Sequence, residues 1–129
     1  MIDDGRPLFV QIAEQIETSI VDGSLAEEAQ VPSTNELAAF HRINPATAAK
    51  GVSRLVGDGV LYKRRGIGMF VATGARTLLL ERRREDFARQ YLAPLLAEAR
   101  KLGMDAEQVK KLIDASAEER GGLSRWGDE

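Results

Sequence analysis

The sequence predicts a mainly helical protein that contains one small β-hairpin, and three observations support this fold class. Apolar residues recur at helical spacing along most of the chain, for example at Leu8, Ile12 and Ile16. Helix start and stop signals separate these apolar stretches. One pair of short β-prone segments flanks a glycine-containing turn at residues 65–68. With 129 residues, the chain can form one compact domain, or one domain with an appendage.

The composition narrows the classes of function. The absence of cysteine excludes a disulfide framework, thiol catalysis and cysteine-ligated zinc, and a single histidine leaves no histidine metal cluster. No nucleophile is paired with a base at a recognisable spacing, so we expect no enzyme activity, no cofactor and no metal site. No segment approaches the roughly 18 apolar residues of a membrane span, and the chain starts without a basic leader. These patterns predict a soluble, cytoplasmic protein.

The first two helices have clear boundaries. The four-residue spacing from Leu8 to Ile20 predicts a helix with one buried stripe, which Gly23 ends. After an acidic connector, Ser33 can cap a second, short helix, and Glu36 can reach back to complete a capping box. This helix continues through Phe40.

A third helix and a hairpin follow. Asn44 is a favourable N-cap and Pro45 a favourable first residue for a helix that ends at residues 57–59. Residues 41–44 therefore form a tight turn between the second and third helices, and residues 60–64 and 69–72 form the hairpin strands. This order of elements is typical of a winged helix-turn-helix, in which the third helix enters the DNA major groove. The hairpin, or wing, then lies along the backbone or the minor groove.

The charge distribution favours a polyanionic partner. The net charge is -2, but residues 1–39 carry one basic and eight acidic side chains, whereas residues 40–66 carry six basic and one acidic. Residues 75–129 are balanced. A basic segment in an acidic chain could bind nucleic acid on one face, or could be an ordinary solvated surface.

The predicted DNA-binding residues lie at the starts of the second and third helices, along the third helix, and in the wing. Asn and Thr side chains at a helix start can reach phosphates or base edges, and small residues let the helix enter the groove. Lys and Arg neutralise phosphates, and glycines permit a tight wing turn. These residues also have an interpretation without DNA. The charges of the hairpin could keep an edge strand from aggregating, and Arg54 could be an ordinary solvated helix position. The full set is Ser33, Thr34, Asn35, Asn44, Pro45, Ala46, Thr47, Lys50, Arg54, Arg64, Arg65, Gly66 and Gly68.

The C-terminal part predicts a helical tail. A long helical stretch starts at Arg76, Pro94 should kink or split it, and Asp105 can cap a last helix. Residues 121–129 are expected to fray, and Trp126 has no assigned role. Apolar tail residues favour self-association over folding back as core, because isolated helices need a packing partner. The predicted dimerisation residues are Leu79, Leu80, Phe87, Tyr91, Leu95, Leu96, Val109, Leu112 and Ile113. The Arg82-Arg83-Arg84 run is interpreted as a solvated helix face, or alternatively as a second contact with DNA phosphates.

Residues 7–72 resemble the GntR family DNA-binding domain. The resemblance rests on six motifs: Pro7-Leu8-Phe9-x-Gln11-Ile12, Gly23-x-Leu25, Pro32-Ser33-x-x-Glu36-Leu37-Ala38, Ile43-Asn44-Pro45-x-Thr47, Gly59-Val60-Leu61 and Arg65-Gly66-x-Gly68-x-Phe70-Val71. The entry to the third helix and the short tail are similar to the YtrA-like subfamily. This resemblance implies a bacterial transcription factor, usually a repressor, that binds a pseudo-palindromic operator as a homodimer through two C-terminal helices. Together with the element pattern, it predicts a DNA-binding domain at 1–74 and a dimerisation tail at 75–120, followed by the frayed end expected at 121–129.

Three departures from the family pattern bear on specificity. Asn35 replaces an arginine that often contacts DNA in the family, so one charge-assisted contact is weakened or lost. Glu28-Ala29 replaces the usual Pro-Gly, which should change a turn rather than a contact. Gly51 stands where the family tends to place alanine. Glycine costs about 1 kcal/mol of helix propensity relative to alanine, so it could loosen the third helix, which is the recognition helix. Two other functions stay open: a protein-interaction module with this fold, and a regulator tuned by a small-molecule effector at the tail.

Overall fold

The computed structural model describes residues 5–120, and it has the predicted mainly helical architecture with one two-stranded antiparallel sheet. The chain forms two compact units, of which the first ends at Arg84 and the second begins at Glu85. In chain order the elements are α1 (Leu8–Val21), α2 (Thr34–His41), α3 (Pro45–Gly57), β1 (Leu61–Arg64), β2 (Gly68–Val71), α4 (Ala75–Phe87), a π-helical segment (Ala88–Leu92), α5 (Ala93–Lys101) and α6 (Ala106–Arg120).

The core of the first unit lies between the first three helices. Both α1 and α2 pack against α3. The predicted stripe of α1 is buried at Ile12, Ile16 and Ile20, and α3 contributes Val52 and Leu55. Burial of each large aliphatic side chain stabilises the folded state by about 1.5–3 kcal/mol. These contacts hold α3 rigidly on its inner side.

Gly51 lies where α3 crosses α1. A Cβ atom at this position would lie 2.9 Å from the backbone oxygen of Phe9 and 3.4 Å from the Cβ of Ile12. The expectation that Gly51 loosens α3 stays a prediction, and the close contact gives this glycine a second, opposing role. Glycine is needed here because it lets the two helices approach closely, and the close crossing fixes α3 on the domain body.

The wing strands pair in the register Leu61↔Val71 to Arg64↔Gly68. The other edge of β2 pairs with the connector between α1 and α2, through the hydrogen bonds Val31 N to Met69 O and Val71 N to Ala29 O. Glu28 in this connector has a positive φ of 68°. Its carboxylate accepts hydrogen bonds from the hydroxyl groups of Tyr62 and Thr73, so Glu28 also ties this turn to the hairpin. The expectation that residues 28–29 change a turn rather than a DNA contact stays a prediction.

The first turns of α4 belong to the first unit. Leu79 is only 2% exposed and lies in the hydrophobic core, which corrects its prediction as a dimerisation residue. The Arg run is also not simply a solvated face. Arg82 pairs with Asp58, and Arg83 donates a hydrogen bond to the Thr18 hydroxyl. The predicted domain division at residues 74 and 75 stays a prediction.

The second unit shows how Pro94 acts on a helix. The backbone remains helical up to Lys101, but residues 88–92 adopt π-helical geometry immediately before α5, whose start contains Pro94. Because proline has no N–H and its ring crowds the preceding turn, the α-helical hydrogen-bond pattern is interrupted there. The predicted cap of the last helix is present, since Asp105 and Gln108 exchange side-chain to backbone hydrogen bonds of 2.8 and 2.9 Å.

Within residues 5–120, no helix is long and apolar enough to cross a membrane. The expected frayed end and Trp126 lie outside the described residues.

Candidate nucleic-acid interface

The start of α2 is fixed by the predicted capping box. The Ser33 hydroxyl accepts a hydrogen bond from Glu36 N (3.1 Å), and Ser33 N donates one to Glu36 Oε1 (2.8 Å). Both side chains are therefore committed to the helix end. Thr34 and Asn35 occupy the next two positions, and Asn35 is exposed. Asn35 is thus an exposed polar side chain that takes no part in the capping box, whereas Ser33 and Glu36 are exposed but bonded to each other.

The start of α3 follows the same logic. The Oδ1 atom of Asn44 accepts a hydrogen bond from Ala46 N (2.7 Å), and Pro45 occupies the first turn. Ala46 is exposed and Thr47 is half-buried. Ala48 is completely buried, so its methyl group serves the core and does not face a groove. Capping uses the Asn44 oxygen, and among residues 5–120 its amide nitrogen makes no side-chain hydrogen bond.

Two cations lie further along α3. Lys50 and Arg54 are both exposed and are separated by one helical turn. The Lys50 ammonium group lies 4.2 Å from the centre of the Phe9 ring of α1, a cation–π contact that limits the freedom of the side chain without neutralising its charge. The outer face of α3 therefore carries two positive charges.

The wing presents a compact basic turn. Ile67 N donates a hydrogen bond to Arg64 O (2.9 Å), and Gly66 occupies the turn with φ of 76°. Lys63, Arg64 and Arg65 are exposed. The Arg64 guanidinium lies 4.8 Å from the centre of the Phe70 ring on the paired strand, which orients it along the wing. Gly68, at φ of 149°, has a conformation that side-chain-bearing residues rarely adopt.

Two residues to which the sequence assigned no part in the wing also shape it. Gln30 Nε2 donates a hydrogen bond to Ile67 O (3.1 Å) at the wing tip. Glu28 anchors the base of the wing through Tyr62 and Thr73, and these hydrogen bonds hold the pKa of the Glu28 carboxyl below its usual value and raise the pKa of the Tyr62 hydroxyl. Neither contact has a local sequence signal, because the partners lie more than 30 residues apart.

The tail displays an apolar surface of its own. The rings of Phe87 and Tyr91 contact each other at an interplanar angle of 48°, with their centroids 5.6 Å apart, and Tyr91 is 61% exposed. Val109, predicted as a dimerisation residue, is almost fully buried within the chain, and Leu80 is half-buried. The other exposed apolar residues of the predicted dimerisation set are Leu95, Leu96, Leu112 and Ile113.

A cleft of about 870 Å³ opens in the first unit, beside α1 and α2. Ile16, Leu37 and Gln30 contribute to its lining, and Phe40 at its edge is 81% exposed. The Nδ1 atom of His41 is buried without a hydrogen-bond partner among the described residues. Among residues 5–120, no cluster of His, Cys, Asp and Glu is arranged to hold a metal ion.

Two capped helix starts, a basic outer helix face and a basic hairpin on one small body define a winged helix-turn-helix DNA-binding protein. The model of the gntR family of bacterial regulatory proteins matches residues 8–71. The chain belongs to the GntR family and is a DNA-binding transcriptional regulator.

Relatives cover most of the chain. The transcriptional repressor YtrA of Bacillus subtilis is 28% identical, over 90% of this chain and 89% of its own. A crystal structure of a GntR-family regulator from Bacteroides thetaiotaomicron superposes with a TM-score of 0.73 at 29% identity, covering 88% of this chain and 98% of that one. The AraR DNA-binding domain, crystallised in complex with an operator, is 33% identical with a TM-score of 0.50, covering 52% of this chain and 81% of that one.

Proposed function

We propose that the chain is a homodimeric, cytoplasmic repressor that binds a pseudo-palindromic operator, with α3 of each protomer in one major groove. The observation that carries this proposal is the α3 surface. Its start is preorganised by Asn44 and Pro45, its outer face carries Lys50 and Arg54, and its inner face is held against α1 at Gly51. A rigid helix with a polar, basic outer face suits groove readout.

Each predicted DNA residue has a role in this proposal. Asn44 and Thr47 read or fix bases at the helix start, while Ser33, Thr34 and Asn35 meet the backbone at the start of α2. Cationic side chains neutralise phosphates or enter the minor groove beside the wing. The cations are Lys50, Arg54, Arg64 and Arg65. Pro45, Ala46, Gly66 and Gly68 shape the two contact segments.

Selection of bound duplexes from a random pool tests the operator proposal. We expect an inverted repeat that binds about 10³-fold or more tightly than scrambled duplex, because specific readers exceed their non-specific affinity by this margin. Titrations of the selected and scrambled duplexes at two salt concentrations separate base readout from phosphate attraction. Recovery of no common sequence, with only weak salt-sensitive binding, would contradict the proposal and favour the protein-interaction module.

Dimerisation is proposed to use the exposed apolar residues of the tail. Substitution of Leu95 by Glu should shift sedimentation equilibrium from dimer to monomer and weaken binding to a full inverted repeat more than to a half-site. Leu8→Glu in α1 is a matched control, because both leucines are 41% exposed. Equal dimer stability in the two variants would contradict a tail-mediated dimer.

The small-molecule effector at the tail stays a prediction. The cleft beside α1 and α2 gives a second place to look for an effector, because its apolar lining includes Ile16 and Leu37. A metabolite screen by thermal shift tests for an effector at either place.

A further inference from the structure

The position of the wing tip depends on contacts from outside the hairpin. The turn at residues 65–67 lies beyond the last strand pair, Arg64↔Gly68, and Ile67 N donates a backbone hydrogen bond to Arg64 O across it. Gly66, in the same turn, has no atom near the position of a Cβ. A short, exposed turn at the end of a two-stranded sheet has little to hold it against the domain body. An additional contact at this point therefore has a large effect on where the cations of the wing lie.

Gln30 supplies such a contact. Its backbone pairs with Phe70 on β2, and its side chain reaches beyond that pair to donate a hydrogen bond to Ile67 O. Gly68 makes room for it, since a Cβ on Gly68 would lie 2.6 Å from Gln30 Nε2. The Gln30 amide thus occupies the space that a side chain at position 68 would need.

The same short segment also leads into the other DNA-facing element. Val31, directly after Gln30, is almost fully buried and hydrogen-bonded to Met69, and Ser33, three residues after Gln30, caps α2. Gln30 is therefore tied on one side to the wing tip and on the other to the start of α2. Few residues of the chain separate these two attachments.

We propose that Gln30 is a positioning residue, which sets the wing tip relative to the start of α2 so that both can engage one duplex at the same time. This inference rests on the proposed DNA readout and deepens it. Gln30 need not touch DNA, because it acts through the carbonyl of Ile67 and thereby through the neighbouring Arg65. Loss of its hydrogen bond leaves the wing to be ordered during binding, which weakens affinity.

The test uses the full chain and the duplex selected from the random pool. Gln30→Leu keeps the size of the side chain and removes the amide donor. We expect binding to weaken by about 3- to 10-fold, the loss of one hydrogen bond. Urea unfolding should change little, since Gln30 is exposed and its backbone pairing is retained. Hydroxyl-radical footprinting should show reduced protection only where the wing contacts the duplex.

A double-mutant cycle distinguishes positioning from a general structural effect. If Gln30 acts through the wing, Gln30→Leu should have little further effect in an Arg65→Ala background, whereas a general loss of stability would add in full. Gln30→Leu binding as tightly as wild type, or additive effects in the cycle, would overturn the inference. Failure of the wild-type chain to bind any duplex is a separate outcome, which would overturn the proposed function itself.

Discussion

Replacement of Gly51 by alanine tests the close crossing of α1 and α3, and two effects oppose each other. Alanine at a helix interior gains about 1 kcal/mol of helix propensity relative to glycine. Against this gain, the new Cβ would lie 2.9 Å from Phe9 O, a backbone atom that cannot rotate away. Overpacking of this kind typically costs about 1–3 kcal/mol. We therefore expect a net loss of up to about 2 kcal/mol.

Gly57 provides the matched control in the same helix. No atom lies within 4 Å of the position of a Cβ there, and its backbone conformation suits any residue. Gly57→Ala should therefore show only the propensity term, a gain of up to about 1 kcal/mol that is reduced by its place at the end of α3. The difference between the two variants gives the steric cost at the crossing.

Native-state hydrogen exchange is the suitable assay. Exchange of the buried amides of Val52 and Leu55 reports opening of the first unit, whereas global probes mix both units. Gly51→Ala should speed this exchange and also weaken operator binding, because α3 must move by a few tenths of an ångström. Stabilisation of Gly51→Ala as large as that of Gly57→Ala would refute the reasoning.

Three further predictions concern charge. Arg64→Ala with Arg65→Ala should flatten the salt dependence of affinity by about 0.9 in slope for each lost phosphate contact, while Lys110→Ala should not; an unchanged slope would remove the wing from the interface. Asn35→Arg should steepen that slope by a similar amount. DNA titrations at several salt concentrations measure the slope, and a slope equal to wild type would contradict a phosphate contact at position 35. Burial raises the pKa of Glu17 in α1, so ionisation of this carboxyl opposes folding. The stability that the protonated carboxyl provides is present below about pH 4.5 and is lost as the pH rises through the raised pKa. Glu17→Gln should therefore stabilise the protein at pH 7 but not at pH 3, and urea midpoints equal to wild type at both pH values would contradict this.

Local signals predicted the framework of the first unit. The caps at Ser33, Asn44 and Asp105 were foreseen because each depends on residues within three positions of one another. The distortion before Pro94 was foreseen because it follows from the covalent structure of proline. The hairpin was foreseen because strand-forming residues flank a glycine turn.

Contacts between residues that are far apart in the sequence could not be predicted from it. Helix propensity marks Gly51 as a weak helix position and says nothing about the Phe9 carbonyl on another helix. The apolar character of Leu79 is equally compatible with a dimer surface and with burial in its own domain, and only the structure shows that it lies in the core. Gln30 gave no signal, since a hydrogen bond over 37 positions depends on the assembled wing. The sequence indicated the kinds of surface, and packing decided which residues form them.

The acidic chain around the basic interface has a consequence for the search along a genome. Since the total charge is -2 and the net negative charge concentrates in residues 1–39, attraction to DNA is strongest in orientations that present α3 and the wing. Encounters that present the acidic residues 1–39 are repelled, so fewer encounters lead to binding at an arbitrary site. A regulator with this charge pattern is less sequestered by bulk DNA, and a larger share of its copies is available to re-occupy an operator soon after the operator is vacated.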